Sequence, residues 1–194
     1  AYKRADLLFS DLQRLRRNKG LPGHAEMEGK TLFVKANTGP SGHGSPPAAG
    51  QAFALKRAGA NGVRVFAFEG EGGLTPGGVH ETLNSAYGLG LTNFHYVVDW
   101  NDFGIDDPPY SHFVYGTPHD WFSSHGWRVV EAKDGSEWES VTRAMLGMVM
   151  GENPSRRPSM MFMKTRKGRE YGKFDNKSHG SPHAMNSDLF WATK

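Results

Sequence analysis

The chain has no cysteine in its 194 residues. That excludes disulfides, thiolate metal sites and cysteine nucleophiles, and it suits a reducing compartment, so the expected location is cytoplasmic. Long apolar runs are missing as well. Nothing approaches the ~18 consecutive apolar residues of a membrane-spanning helix, and the opening "AYKRADLL" is charged where a secretory signal is apolar. The sequence therefore reads as a soluble protein with no membrane partner. A large excess of one charge is also lacking: the net charge of +3 is a mild basic surplus, compatible with phosphorylated ligands but short of a nucleic-acid footprint. The basic clusters "RLRRNKG" (14–20) and "KTRKGR" (164–169) read as solvated faces.

What is present fits one compact core, since 194 residues with 37% hydrophobic content suffice for a single α/β domain. Four short runs rich in β-branched and aromatic residues, "VRVFAF" (63–68), "FHYVVD" (94–99), "WRVVEA" (127–132) and "SMMFMKT" (159–165), are apolar on both faces. That is the pattern of parallel strands covered on both sides. Helical periods lie between them. Val79, Leu83, Ala86 and Tyr87 form one stripe, and Val141, Ala144, Met145, Met148 and Val149 another. A further helix is expected from Ser45, as the capping residue of "SPPAAGQAFALKRAG", to a stop at Gly59. The first residues look helical up to Arg17, and "TLFVKA" (31–36) is ambiguous. Alternating strand and helix predicts an α/β fold, an open and mostly parallel sheet with helices on both faces.

In such sheets ligands bind outside the carboxyl ends of the strands. Those ends carry Glu69-Gly70-Glu71-Gly72-Gly73, Asp99-Trp100-Asn101-Asp102-Phe103 and the loop "NTGPSGHG" (37–44). Glycine-rich loops there let backbone N–H groups approach an oxyanion, so phosphate binding is the first inference. The usual nucleotide motifs do not fit. A dinucleotide fingerprint from Gly70 would need glycine where Thr75 stands, and no GxxxxGK[ST] occurs.

The stretch from Gly70 to Asn101 resembles the thiamine diphosphate motif of the transketolase family: Gly-Asp-Gly, then about thirty residues, then an asparagine after the next strand. Asn101 lies thirty positions after Glu71. "LPGHAEM" around His24, "TGPSGHG" from Thr38, "DGSEWESV" (134–141), "KTRKG" (164–168) and "NKSHGSPH" around His179 follow in family order. The resemblance runs from about Leu21 to the end and corresponds to the diphosphate-binding domain, the amino-terminal third of a full transketolase.

The resemblance implies thiamine diphosphate and Mg²⁺ as cofactors. Glu71, the amide oxygen of Asn101 and the backbone carbonyl of Phe103 would ligate the metal, which takes oxygen ligands and commonly shares them with phosphates. Gly70, Gly72 and Gly73 would admit the diphosphate, with Gly39, Pro40, Ser41 and His43 in the loop that approaches the cofactor. His24 and His179 would be the catalytic histidines, facing the thiazolium, the diphosphate and the substrate. His179 and His183 are four apart, but Gly180 and Pro182 oppose the helix that a two-histidine metal site would need.

Two departures stand out. Glu71 replaces the family's aspartate, extending the carboxylate by about 1.5 Å, and Pro76 replaces a glutamate thought to link two active sites, although Glu81 is retained. The family's chemistry also needs a glutamate from a pyrimidine-binding domain, which is expected to lie outside these 194 residues.

The expectation is thus a single, incomplete diphosphate-binding domain over residues 1–194. It would transfer two-carbon ketol units between sugar phosphates only with a pyrimidine-binding domain or subunit, as a homodimer or larger assembly. The alternatives are the corresponding domain of a 2-oxo-acid dehydrogenase-like enzyme and a non-catalytic assembly module. Trp100, Phe103 and Tyr110 are candidates for an exposed apolar face in either case.

Overall fold

The structure is a computed structural model that describes residues 34–104, 109–112, 114–170, 172, 175 and 183–193. The chain divides into two compact units, Ala1–Gly39 and Pro40–Lys194. In the first, residues 34–38 have no regular structure, so the described half of "TLFVKA" is not a strand. The expected first helix lies outside the described residues.

The second unit is built on four strands, β1 (Val65–Gly70), β2 (Phe94–Trp100), β3 (Arg128–Ala132) and β4 (Ser159–Lys164), in the order β1-β2-β4-β3. All three pairings are parallel, with Gly70 opposite Asp99 and Trp100 opposite Lys164. This register brings the carboxyl ends of β1, β2 and β4 nearly level.

Among the described residues five α-helices accompany the strands: α1 (Ser45–Arg57), α2 (Gly77–Gly88), α3 (Pro118–Ser124), α4 (Trp138–Met150) and α5 (Asp188–Thr193). Strand alternation sorts the core into two faces. Phe94, Tyr96 and Val98 of β2 join Ala52 of α1, Val79, Leu83 and Ala86 of α2, and Phe122 of α3. Val97 and Met161 face the other way, onto Ala144 and Met148 of α4.

An aromatic cluster consolidates the first face. The rings of Tyr96 and Phe122 are 5.2 Å apart and those of Phe122 and Trp127 5.3 Å, both edge to face, a geometry favoured by ring quadrupoles. Trp127 Nε1 donates to the carbonyl of Leu83 at 2.9 Å, tying α2 to the entry of β3.

Local chemistry sets the helix ends. Thr117 and Asp120 form a reciprocal capping box before α3, and Arg128 donates to the carbonyls of Gly147 (2.7 Å) and Met148 (3.2 Å) near the end of α4. Gly59, at φ +75°, stands just past α1. The start of α1 differs from expectation. Gly44 is the N-cap, and Ser45 is a buried helical residue whose Oγ donates to the Gly42 carbonyl at 3.2 Å. Pro46 and Pro47 fill the first turn, where their missing N–H groups cost nothing.

Among the described residues only α4 covers the second face. α4 packs on β3 and β4, which leaves the outer side of edge strand β1 open: Phe68 is 69% exposed and stacks on half-buried Phe66. The apolar run of β1 thus overstates its burial. Trp100, a candidate for an exposed face, instead packs partly buried against the first core.

Candidate functional site

Three adjacent strands end at one edge, and the first residues beyond them are Glu71 after β1, Asn101 after β2 and Thr165 after β4. Glu71 opens a 3₁₀ turn, Glu71–Leu74, entered from an extended Gly70. The turn folds the acid inward. It is 2% exposed, its Oε2 accepts from the backbone N–H of Asn101 at 3.3 Å, and its Oε1 has no hydrogen-bond partner among the described residues. Burial pushes the carboxyl pKa above its ordinary value; Asp99 adds to that rise, and backbone N–H groups of Glu71, Asn101 and Asp102 oppose it. A buried carboxylate oxygen without a partner is costly unless something completes it.

Asn101 forms an Asx-turn. Its Oδ1 accepts from the Phe103 N–H at 3.0 Å, and its Nδ2 donates to Asp99 Oδ2 at 3.2 Å. An amide oxygen has two lone pairs, so the turn leaves one for a cation. Asp99 in turn accepts from Thr165 Oγ1, which couples the ends of β2 and β4.

Beyond Asn101 the chain turns back sharply. Asp102 adopts φ +67°, and its carboxylate accepts from the N–H (2.7 Å) and Oγ (3.0 Å) of Ser111. The turn seats Tyr110 against the glycine turn: a Cβ at Gly72 would lie 2.5 Å from the Tyr110 hydroxyl. Lys167 donates to the carbonyl of Gly104. Burial lowers its pKa, while the charges of Glu71 and Asp99 raise it, so its ammonium lies within electrostatic reach of both carboxylates.

Glu69 supports the loop at 40–44. Its Oε2 accepts from the Gly42 N–H at 2.6 Å, with Gly42 at φ +81°. A Cβ at Gly73 would overlap the Glu69 side chain, so any larger residue there must displace it. Pro40, Ser41 and His43 are exposed, and the His43 N–H donates to the Pro40 carbonyl at 3.4 Å. Gly39 ends the first unit. His24 and His179 lie outside the described residues.

The structure therefore gathers Glu71, Asn101, Phe103, Gly70, Gly72 and Gly73 at one edge. It adds Glu69, Asp99, Thr165 and Lys167, which sequence reasoning did not name as site residues, and Tyr110, which it named only for an apolar face. Signals existed for two of them: Asp99 shares a strand face with Asn101, two positions on, and Lys167 lies in "KTRKG". Among the described residues no three His, Cys, Asp or Glu side chains cluster as metal ligands. The donors left open at this edge are instead Oε1 of Glu71 and the second lone pair of Asn101 Oδ1, hard oxygens that suit a small divalent cation sharing its shell with another oxyanion.

A parallel sheet with helices on both faces, and with these groups at its carboxyl edge, belongs to the α/β class. Comparison with known proteins narrows the class. Residues 2–188 match the family model described as "Transketolase, thiamine diphosphate binding domain", and the chain belongs to that family.

It is 30% identical to a transketolase of Buchnera aphidicola over 97% of this chain, and 33% identical to transketolase 2 of Xanthobacter flavus over 91%. It spans only 29% and 27% of those proteins' lengths. Among solved structures, transketolase from Campylobacter jejuni superposes with a TM-score of 0.69 at 26% identity, over 86% of this chain and 26% of that one. Transketolase from Leishmania mexicana shares the fold with a TM-score of 0.68 at 22% identity, over 95% of this chain and 32% of that one.

Proposed function

We propose that this chain is the diphosphate- and Mg²⁺-binding part of a transketolase-like enzyme that transfers two-carbon ketol units between sugar phosphates. One observation carries the reading: Glu71 is buried directly past β1, bonded to the Asn101 N–H, with its second oxygen unpartnered. A cation at that oxygen would relieve the burial cost.

Glu71 Oε1, Asn101 Oδ1 and the Phe103 carbonyl would hold the metal, and the diphosphate would complete its shell. The longer side chain of glutamate is compatible with this role because the 3₁₀ turn begins at residue 71 itself and folds the carboxylate back toward β2. Gly70, Gly72 and Gly73 would present backbone to the diphosphate, with Gly39, Pro40, Ser41 and His43 from the preceding loop. Lys167 would add positive charge beside the two carboxylates. Thiamine diphosphate, when bound, supplies the nucleophilic thiazolium carbon and the electron sink for cleavage beside a carbonyl. His24 and His179 would move protons on the substrate's hydroxyls, as imidazoles near neutral pH can.

Pro76 has a structural task in place of the family's glutamate: it is the extended N-cap residue of α2. That position therefore offers no carboxylate for coupling two sites. Turnover would require a pyrimidine-binding domain or subunit, in a homodimer or larger cytoplasmic assembly, for which residues 1–194 supply the diphosphate-binding domain.

The test is thermal unfolding with thiamine diphosphate and Mg²⁺, separately and together, followed by ketol-transfer assays with a complementary pyrimidine-domain chain. Stabilisation that needs both ligands, and transfer from a ketose phosphate donor, are expected. Transfer from a 2-oxo acid alone would reassign the donor. Failure of any metal-dependent stabilisation, with the complementary chain present, would leave an assembly module.

A further inference from the structure

The opposite, amino-terminal edge of the sheet holds a concavity of about 400 Å³, the size range of small-molecule sites. It lies where β2 and β4 begin, at the far ends of those strands from Asn101 and Thr165. Lys56, Arg64 and Arg156 line it, and among the described residues no aspartate or glutamate does. Lys56 is fixed in place, its Nζ donating to the carbonyls of Leu89 (2.8 Å) and Gly90 (2.7 Å). The concavity is thus a cationic site without a carboxylate to neutralise it.

Two buried polar side chains also line it. His95 is 3% exposed; its Nδ1 pairs with Ser159 Oγ at 2.8 Å, and its Nε2 has no partner among the described residues. Asn93 is 8% exposed; its Nδ2 donates to the Ala52 carbonyl at 2.9 Å, and its Oδ1 is likewise unpartnered. Burial, then the charges of Arg64 and Arg128, lower the His95 pKa to about 4, so the ring is neutral at pH 7. The Ser159 hydroxyl donates to the Met148 carbonyl at 3.4 Å, so the neutral ring carries its proton on Nδ1, which donates to Ser159 Oγ, and Nε2 is left as an acceptor. Two neutral acceptors and several cations in one concavity match a ligand that is anionic at one end and hydroxylated at the other.

We propose that this concavity binds a small phosphorylated polyol, its phosphate paired with Arg64 and Arg156 and its hydroxyls donating to Asn93 Oδ1 and His95 Nε2. The site is separate from the carboxyl edge and does not depend on the function assigned there. The strands join the two edges, since His95 and Asn101 lie at the two ends of β2.

The test is titration of the chain with glycerol 3-phosphate, inorganic phosphate and glycerol, followed by amide and imidazole NMR shifts. The comparison is an Arg64→Glu/Arg156→Glu double variant, whose altered side chains are both exposed. Expected are shifts at Asn93, His95 and Arg156, binding of glycerol 3-phosphate tighter than that of inorganic phosphate, and at least a tenfold loss of affinity in the double variant with its melting temperature retained. Asn93→Asp, which places a negative charge beside the ligand, should weaken binding further. Shifts confined to residues near Glu71 and Asn101, no shifts at all, or equal affinity in the double variant would overturn the site; equal affinity for the two phosphates would overturn the role of Asn93.

Discussion

The backbone N–H of Asn101 donates to Oε2 of Glu71 at 3.3 Å, joining the first residues past two adjacent strands. The bond leaves Oε1 as the unsatisfied atom of a buried carboxylate. Glu71→Gln keeps an acceptor for Asn101 but removes the charge. The variant should unfold at the same temperature as the parent or higher without ligands, because a buried charge is gone. It should lose the Mg²⁺-dependent stabilisation by thiamine diphosphate, which for the parent is about 2.7 kcal/mol at a hundredfold excess over Kd. Calorimetry of both proteins, with and without ligands, checks this; an undiminished shift in the variant would remove Glu71 from the metal site.

Gly73→Ala should act through Glu69. The new methyl group would displace the Glu69 side chain and with it the acceptor of the Gly42 N–H. A loss of about 1–3 kcal/mol is expected, as for other overpacked sites. Hydrogen exchange at Gly42 should speed up more than exchange at Val97 in the sheet, and equal acceleration at both would point to global destabilisation alone.

His95 should make the fold acid-sensitive. Its folded pKa of about 4 lies below the ordinary 6.5, so between those values the unfolded chain binds more protons and stability falls as pH falls. The His95 contribution is intact above pH 6.5, and about 2 kcal/mol of it is lost by pH 5. His95→Gln should reduce the drop in urea-unfolding free energy between pH 7 and pH 5 by a comparable amount. An identical drop would place the acid sensitivity elsewhere.

Leu83 is fully buried between α2 and the sheet, and its carbonyl receives Trp127 Nε1. Leu83→Ala should cost about 2–5 kcal/mol from lost burial and the cavity left behind. Thr117→Ala removes half of a capping box on an exposed helix end and should cost about 1 kcal/mol. Denaturant midpoints at unchanged m-value distinguish the two.

The framework was legible in the sequence because it rests on local pattern. The four strands begin and end within two residues of the apolar runs, and the stripes Val79-Leu83-Ala86 and Ala144-Met148 are the buried faces of α2 and α4. Tyr87, read as part of the first stripe, is 48% exposed, since it falls at the stripe's margin near the end of α2. The open flank of β1 was not legible: Phe66 and Phe68 carry the composition of a covered strand, and the lack of cover depends on where α4 docks.

At the carboxyl edge the same division holds. Glu71 and Asn101 stand out by spacing and by their position after strands. Asp99 with Thr165, or Tyr110 against Gly72, can be found only once distant segments are brought together. Ser45 misled because a serine before prolines reads as a cap, yet Gly44 takes that position and Ser45 turns into the core.

The thirty-residue interval between Glu71 and Asn101 measures one crossover, namely the 3₁₀ turn, α2, the return loop and the length of β2. It is a ruler for the connection and not for the chemistry. Adding a turn of helix to α2 would change the interval and leave the Asn101 N–H on the Glu71 carboxylate, whereas one residue inserted between Gly70 and Glu71 would keep the interval at thirty and swing the acid out of the site. Homologues with longer or shorter crossovers can therefore keep the same pair, provided that each residue stands first beyond its strand.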